Sequence, residues 1–161
     1  MSHAIVAFGA NLGDREATIA AAVRELADTE GVALVAVSPV YETAAIRVEG
    51  VDAEAPGYLN GVVAIETALD PHALLERLHA IEAAYGRERT ERWGDRTLDL
   101  DLIDVDGQVI DDRGLVLPHP RAWQRAFVLQ PWLDLEPEAS LPGHGPIAAL
   151  RADASDEVTR R

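Results

Sequence analysis

Between Arg92 and Leu102 the chain sets two arginines, Arg92 and Arg96, and the indole of Trp93 before two carboxylates, Asp99 and Asp101, spaced i, i+2. In an extended strand successive side chains alternate faces, so Leu98, Leu100 and Leu102 share one face while Asp99 and Asp101 share the other. Two carboxylates held side by side repel unless a cation or water screens them. Hard divalent ions such as Mg²⁺ take one or two carboxylates and complete their shell with water and substrate phosphates. Arg87, Arg89, Arg92 and Arg96 add planar, permanently charged forks for phosphate oxygens. Together these residues point to metal-assisted phosphate chemistry. The plainer alternative is a half-exposed edge strand with a solvated acidic face and unrelated surface arginines.

The elements that must hold this site follow from periodicity. Ala4 to Phe8 reads as a buried strand entering a tight turn at Gly9 to Gly13. Asp14 can cap a helix whose apolar positions are Ile19, Ala22, Val23 and Leu26, ending at Gly31. Val32 to Tyr41 suits a second strand, with Pro39 marking an edge or bulge near its end. Residues 44–57 lack a period and read as a long loop, of a length that in compact domains is usually functional or disordered. Tyr58 to Thr67 resumes an extended pattern. Asp70 before Pro71 starts a helix through Leu74, Leu75, Leu78 and Ile81 to Tyr85-Gly86. The arginine-rich loop follows, then the carboxylate strand Thr97 to Val105, and Asp106-Gly107 suggests a hairpin turn into Val109-Ile110. Beyond Pro118-His119-Pro120 a helical pattern runs through Trp123, Phe127 and Leu129, and residues 152–161 read as a frayed tail.

The order β-α-β, β-α-β with a C-terminal extension predicts an α+β fold. It is an α/β sandwich of the ferredoxin-like kind, with a mainly antiparallel sheet, helices packed on one face, and Asp99 and Asp101 on the face away from them. A doubly wound parallel sheet is the alternative, but it asks for more helices than the pattern offers. A length of 161 residues fits one domain. No apolar stretch approaches the ~20 residues of a membrane span, and the first residues lack a signal-peptide pattern. With zero cysteines there is no disulfide framework or thiolate site. A cytoplasmic home and no membrane association are therefore expected. The net charge of −14 argues against nucleic-acid binding, so an anionic substrate needs a local basic patch. Residues 87–96 supply one, with Arg121 and Arg125 as further candidates.

Five segments in order give the chain a close resemblance to the 6-hydroxymethyl-7,8-dihydropterin pyrophosphokinase family of folate biosynthesis. They are Phe8-Gly9-Ala10-Asn11-Leu12-Gly13-Asp14-Arg15, Ser38-Pro39-Val40-Tyr41-Glu42-Thr43, Tyr58-Leu59-Asn60, Arg92 through Asp101, and Leu117-Pro118-His119-Pro120 with Arg125-Ala126-Phe127-Val128-Leu129. The resemblance implies transfer of the pyrophosphoryl group of ATP to the pterin hydroxymethyl oxygen, leaving AMP. It implies that Asp99 and Asp101 hold two Mg²⁺ ions, with ATP as co-substrate, and that Arg87 and Arg96 are catalytic. Thr43, Ala45, Tyr58, Asn60, Trp93 and Phe127 are the implied pterin residues. Glu82, Arg87, Arg89, Arg96, Leu102, His119 and Arg125 are the implied ATP residues. The expected partners are these two small molecules, and the expected working form is a monomer. The chain departs from the family's pattern at Asp95, where the family usually has Pro, and in the length of the 44–57 loop. Two other classes fit the same architecture: a ligand-binding regulatory domain, and a catalytically retired relative acting as an interaction partner.

Overall fold

The computed structural model describes residues 1–11, 14–43, 46–47, 50–51, 57–86 and 98–161. The chain runs β1 (Ser2–Ala10), α1 (Arg15–Ala27), β2 (Val32–Val37), β3 (Tyr41–Thr43), β4 (Ile46–Arg47), β5 (Gly50–Val51), β6 (Tyr58–Thr67) and α2 (Pro71–Gly86). It continues with β7 (Asp99–Val105), β8 (Ile110–Asp111), β9 (Val116–Leu117), a 3₁₀ turn at Ala122–Gln124 and α3 (Ala126–Leu135). The last elements are β10 (Ser140–Leu141), β11 (Gly145–Pro146), α4 (Ile147–Asp153) and β12 (Thr159–Arg160).

The main sheet has the order β12-β3-β6-β1-β7, with β2 also pairing β6, and every pairing in it is antiparallel. This is the ferredoxin-like α+β arrangement, and it positions the site by setting β1 between β6 and β7. β1 is apolar on both faces because both are covered. Val6 and Phe8 meet Ile19, Ala22 and Leu26 of α1 and Leu74, Leu78 and Ile81 of α2, while Ile5 and Ala7 join Val128, Leu129 and Trp132 of α3 and Ile147 of α4. The side opposite α1 and α2 is therefore not bare. The C-terminal extension covers one end of it.

Local signals explain the two long helices. Asp14 accepts a hydrogen bond from the Ala17 amide at 3.1 Å and Asp70 from the Ala73 amide at 3.0 Å, each satisfying an orphan N–H of a first turn. Past the end of α1, Gly31 takes φ +86°, where a side chain would strain the backbone. Gly61 serves packing: a Cβ there would lie 2.3 Å from the Phe8 ring, which rests across the strand on the glycine opposite it.

The expected strand from Val32 to Tyr41 is instead two. β2 and β3 both pair β6, and Ser38-Pro39-Val40 separates them because Pro39 has no N–H for the ladder. Ser38 bridges the gap, its Oγ accepting from the Val62 amide at 2.9 Å. The turn at Asp106-Gly107 is present, with φ of +49° and +68°. The expected hairpin into Val109-Ile110 does not form, since β8 pairs β9 rather than β7. Within the long loop β4 and β5 pair with each other. Residues 152–161, expected to fray, instead finish α4 and form β12, which pairs Thr159 with Glu42 and Arg160 with Tyr41.

Candidate active site

On the α3 side of the sheet Asp99 lies opposite Gly9, Asp101 opposite Ala7, and Asn60 faces Gly9 from the other neighbouring strand. The leucines alternate away as expected, and Leu98, Leu100 and Leu102 are buried against α1 and α2. Small residues in the middle strand leave a hollow between the carboxylates and the amide. A Cβ on Gly9 would sit 3.1 Å from Asn60 Oδ1, so this approach needs glycine or a shift of the amide. Asn60 is buried, and its Nδ2 donates to Thr43 Oγ1 at 3.1 Å, which ties β6 to β3 at the floor of the hollow. The resulting cavity, about 620 Å³, is lined by these residues with Tyr58, Arg125, Phe127, Asp156 and Glu157 among others. The Arg125 guanidinium lies 5.4 Å from the Phe127 ring centroid, a cation–π distance.

A second cavity of about 250 Å³ lies along β7 toward α2, lined by His79, Glu82, Leu102 and His119 together with Asp101. Asp101 thus borders both spaces. Glu82 Oε2 accepts the Leu100 amide at 2.9 Å. Burial raises the Glu82 pKa, the Leu100 amide opposes that, and Asp99 and Asp101 add to it by repulsion. His119 Nδ1 accepts the Arg121 amide at 3.2 Å, so in the neutral ring the proton sits on Nε2. Its pKa is lowered, first by burial and then by Arg125 and Arg121, with Asp101 pulling the other way. The backbone of His119 is fixed by an unusual partner. Its amide donates to the Ile103 carbonyl at 2.9 Å, and Ile103 is the residue left unpaired where the β1–β7 register slips. A bulge beside the site thus supplies an acceptor that a regular ladder would have used.

Two carboxylates on one face, opposite small residues and beside an open cavity, are a donor set for a hard divalent ion. Among the described residues no group of three or more His, Asp or Glu side chains is arranged to hold a metal.

Residues 5–137 match the model of the 7,8-dihydro-6-hydroxymethylpterin-pyrophosphokinase (HPPK) family. The chain belongs to this family. Among its relatives, the 2-amino-4-hydroxy-6-hydroxymethyldihydropteridine pyrophosphokinase of Methylorubrum extorquens is 42% identical over 143 residues, covering 89% of this chain and 88% of that one. The enzyme of the same name from Pseudomonas aeruginosa is 42% identical over 137 residues (85% and 82%), and that from Bacillus subtilis 39% over 132 (82% and 77%). Among solved structures the fold is similar to an HPPK-DHPS bound to substrates, with TM-score 0.71, 15% identity and coverage of 94% of this chain and 43% of that one. A Plasmodium falciparum HPPK-DHPS gives TM-score 0.70 at 13% identity, covering 94% and 45%. The chain spans less than half the length of those two polypeptides.

Of the residues that the HPPK resemblance singles out, the larger cavity gathers Thr43, Tyr58, Asn60, Asp99, Asp101, Arg125 and Phe127. The smaller gathers Glu82, Asp101, Leu102 and His119. Arg125, expected on the ATP side, thus lines the same cavity as the pterin residues. Ala45, Arg87, Arg89, Trp93, Asp95 and Arg96 lie outside the described residues. The sequence reading missed Asp156 and Glu157, which reach the larger cavity from a segment with no period and no HPPK motif. It also missed the bulge, although Leu102-Ile103 breaks the alternation of β7 and so marks the place.

Proposed function

We propose that this chain transfers the β,γ-pyrophosphoryl group of ATP to the hydroxymethyl oxygen of 6-hydroxymethyl-7,8-dihydropterin, in folate biosynthesis. The pterin oxygen bonds to the β-phosphorus as the bond to the oxygen retained by AMP breaks. The observation that carries the reading is the pair of cavities bordered by one carboxylate, Asp101: two substrates can approach it from different sides. The larger hollow suits a flat heterocycle, with Phe127 and Tyr58 as ring surfaces and Asn60 and Thr43 as edge partners. Ala45 and Trp93 complete this set in the proposal. The smaller one suits the nucleotide, where neutral His119 offers its Nε2–H to a phosphate oxygen, Glu82 and Leu102 form the wall, and Arg125 reaches from the larger side.

Asp99 and Asp101 are the residues proposed to hold two Mg²⁺ ions, which when bound neutralise charge on the phosphate oxygens. Arg87 and Arg96 are proposed as the catalytic arginines and Arg89 as a further ATP contact, since pyrophosphoryl transfer depends on positioning and on neutralising the transferred group. The same reading takes the working form as one pyrophosphokinase domain, monomeric and cytoplasmic. No described helix is long and apolar enough to cross a membrane.

The decisive experiment supplies ATP, Mg²⁺ and the hydroxymethyl dihydropterin and follows AMP. One AMP for each pterin diphosphate is expected, with loss of turnover when the metal is chelated. Binding of both ligands without AMP would instead favour a ligand-binding module.

A further inference from the structure

The C-terminal segment crosses the larger cavity's rim between two elements that line it. After α4 the chain passes the start of α3, where Asp156 Oδ1 accepts the Ala126 amide at 2.9 Å, and then reaches β3. There β12 pairs Thr159 with Glu42 and Arg160 with Tyr41. Arg161 donates its own amide to Val40 O at 2.9 Å and its guanidinium to Glu16 at 2.7 Å and Glu42 at 2.9 Å. One strap therefore ties β3, which carries Thr43, to the first turn of α3, whose second residue is Phe127. The residue at the N-cap of α3, Arg125, makes no side-chain cap bond, so the cap is Asp156 from thirty residues downstream. Its Oδ2 is buried without a hydrogen-bond partner among the described residues. The carboxylate charge is thus held at the positive end of the helix.

We propose that Asp156 is a positioning residue for the pterin cavity: by capping α3 it fixes Phe127 against the wall formed by β3. Asp156 lies beyond the residues that match the family model. This inference rests on the larger cavity being the pterin side, as proposed above. Without the cap the Ala126 N–H is orphaned, and the first turn of α3, which includes Phe127, can fray. The cost falls on the substrate that needs the ring in place and spares the nucleotide.

The test measures affinity for the hydroxymethyl dihydropterin and, separately, for a non-hydrolysable ATP analogue, in the parent, Asp156→Ala and Asp156→Asn. Asn keeps an oxygen acceptor for the Ala126 amide and loses the charge. Asp156→Ala should weaken pterin binding at least fivefold while ATP-analogue binding stays within twofold. Asp156→Asn should stay within twofold of the parent for both ligands. A lower melting temperature for Asp156→Ala with unchanged pterin affinity would reduce the residue to a structural cap and overturn the proposal. Equal loss in Asp156→Asn would overturn it too, by assigning the effect to charge. Should Asp156→Ala not fold, amide exchange in the parent decides: Ala126 N–H should gain protection with pterin bound and not with the analogue alone, and no gain refutes positioning. AMP formation by the parent is followed in parallel. A parent that binds pterin but makes no AMP removes the transferase reading and leaves the positioning test readable.

Discussion

The α3 side of the sheet has two ends that use the same strands differently. At one end Ile5, Val62, Ala64 and Ile103 lie under Trp132, Leu129 and Ile147. A polar chain closes this end: Trp132 Nε1 donates to Glu136 Oε1 at 2.9 Å, and His3 bridges Glu136 at 2.5 Å and Glu66 at 3.0 Å. At the other end, two to four residues along each strand, the same face presents Ala7, Gly9, Asn60, Asp99 and Asp101 to an open cavity. Alternation decides which face a side chain takes. Whether that face is core or site depends on side-chain size and polarity, and on where the C-terminal helices land.

If the two ends are separate in their work, changes at the packed end should move stability and leave chemistry alone. Trp132→Ala removes the largest fully buried side chain of that end and should cost about 3–5 kcal/mol of unfolding free energy by urea titration. Its turnover, measured where the variant is still folded, should stay within about threefold of the parent. A parallel collapse of turnover in fully folded variant would show that the ends are coupled.

The reverse change belongs to the open end. Asp101→Asn should lower kcat by at least about a hundredfold, roughly 2.7 kcal/mol in the barrier. The unliganded protein should be as stable as the parent or more so, because one of two like charges on that face is gone. A variant that keeps kcat within about tenfold would remove Asp101 from the proposed metal pair.

The smallest effect sharpens the comparison through pH. Burial by itself lowers the His3 pKa, but hydrogen bonds to Glu66 and Glu136 and their charges outweigh it, and the net shift is upward. A raised folded-state pKa stabilises the fold fully below the unfolded value of about 6.5, and that contribution is lost as pH rises through the folded value. His3 is about a third exposed, so solvent screening keeps the contribution under about 1 kcal/mol. Parent and His3→Gln should differ in melting temperature at pH 5.5 and converge by pH 9. A gap that widened with pH would reverse the assigned sign.

Much of this was legible in the chain because it depended on local rules. Asp14 and Asp70 announced their caps, Tyr58 to Thr67 its strand, and the Asp99, Asp101 pair its face. The family's motifs then pointed to Thr43, Tyr58, Asn60 and Phe127, which do meet in one cavity. What stayed hidden depends on contacts distant in sequence. Nothing near Asp156 says that it caps a helix starting at Ala126. Nothing near Val109 says that Ile110 and Asp111 will pair with Leu117 and Val116 instead of β7. The covering of the second face by α3 and α4 was equally out of reach, since an apolar β1 fits one buried face or two.

The bulge in β7 bears on how this strand tolerates a change in length. Removing one residue from a strand ordinarily turns every side chain beyond the cut to the opposite face. Here Ile103 is the supernumerary residue. Without it the order Asp99, Leu100, Asp101, Leu102, Asp104, Val105 is in strict alternation, and Leu100, Leu102 and Val105 keep the side they already share. A deletion at this one position would mend the strand's phase rather than break it. What would go is the buried Ile103 side chain beneath Trp132 and the carbonyl that holds His119. The extra residue thus leaves the sheet's alternation intact on either side of it and gives the nucleotide side its anchor.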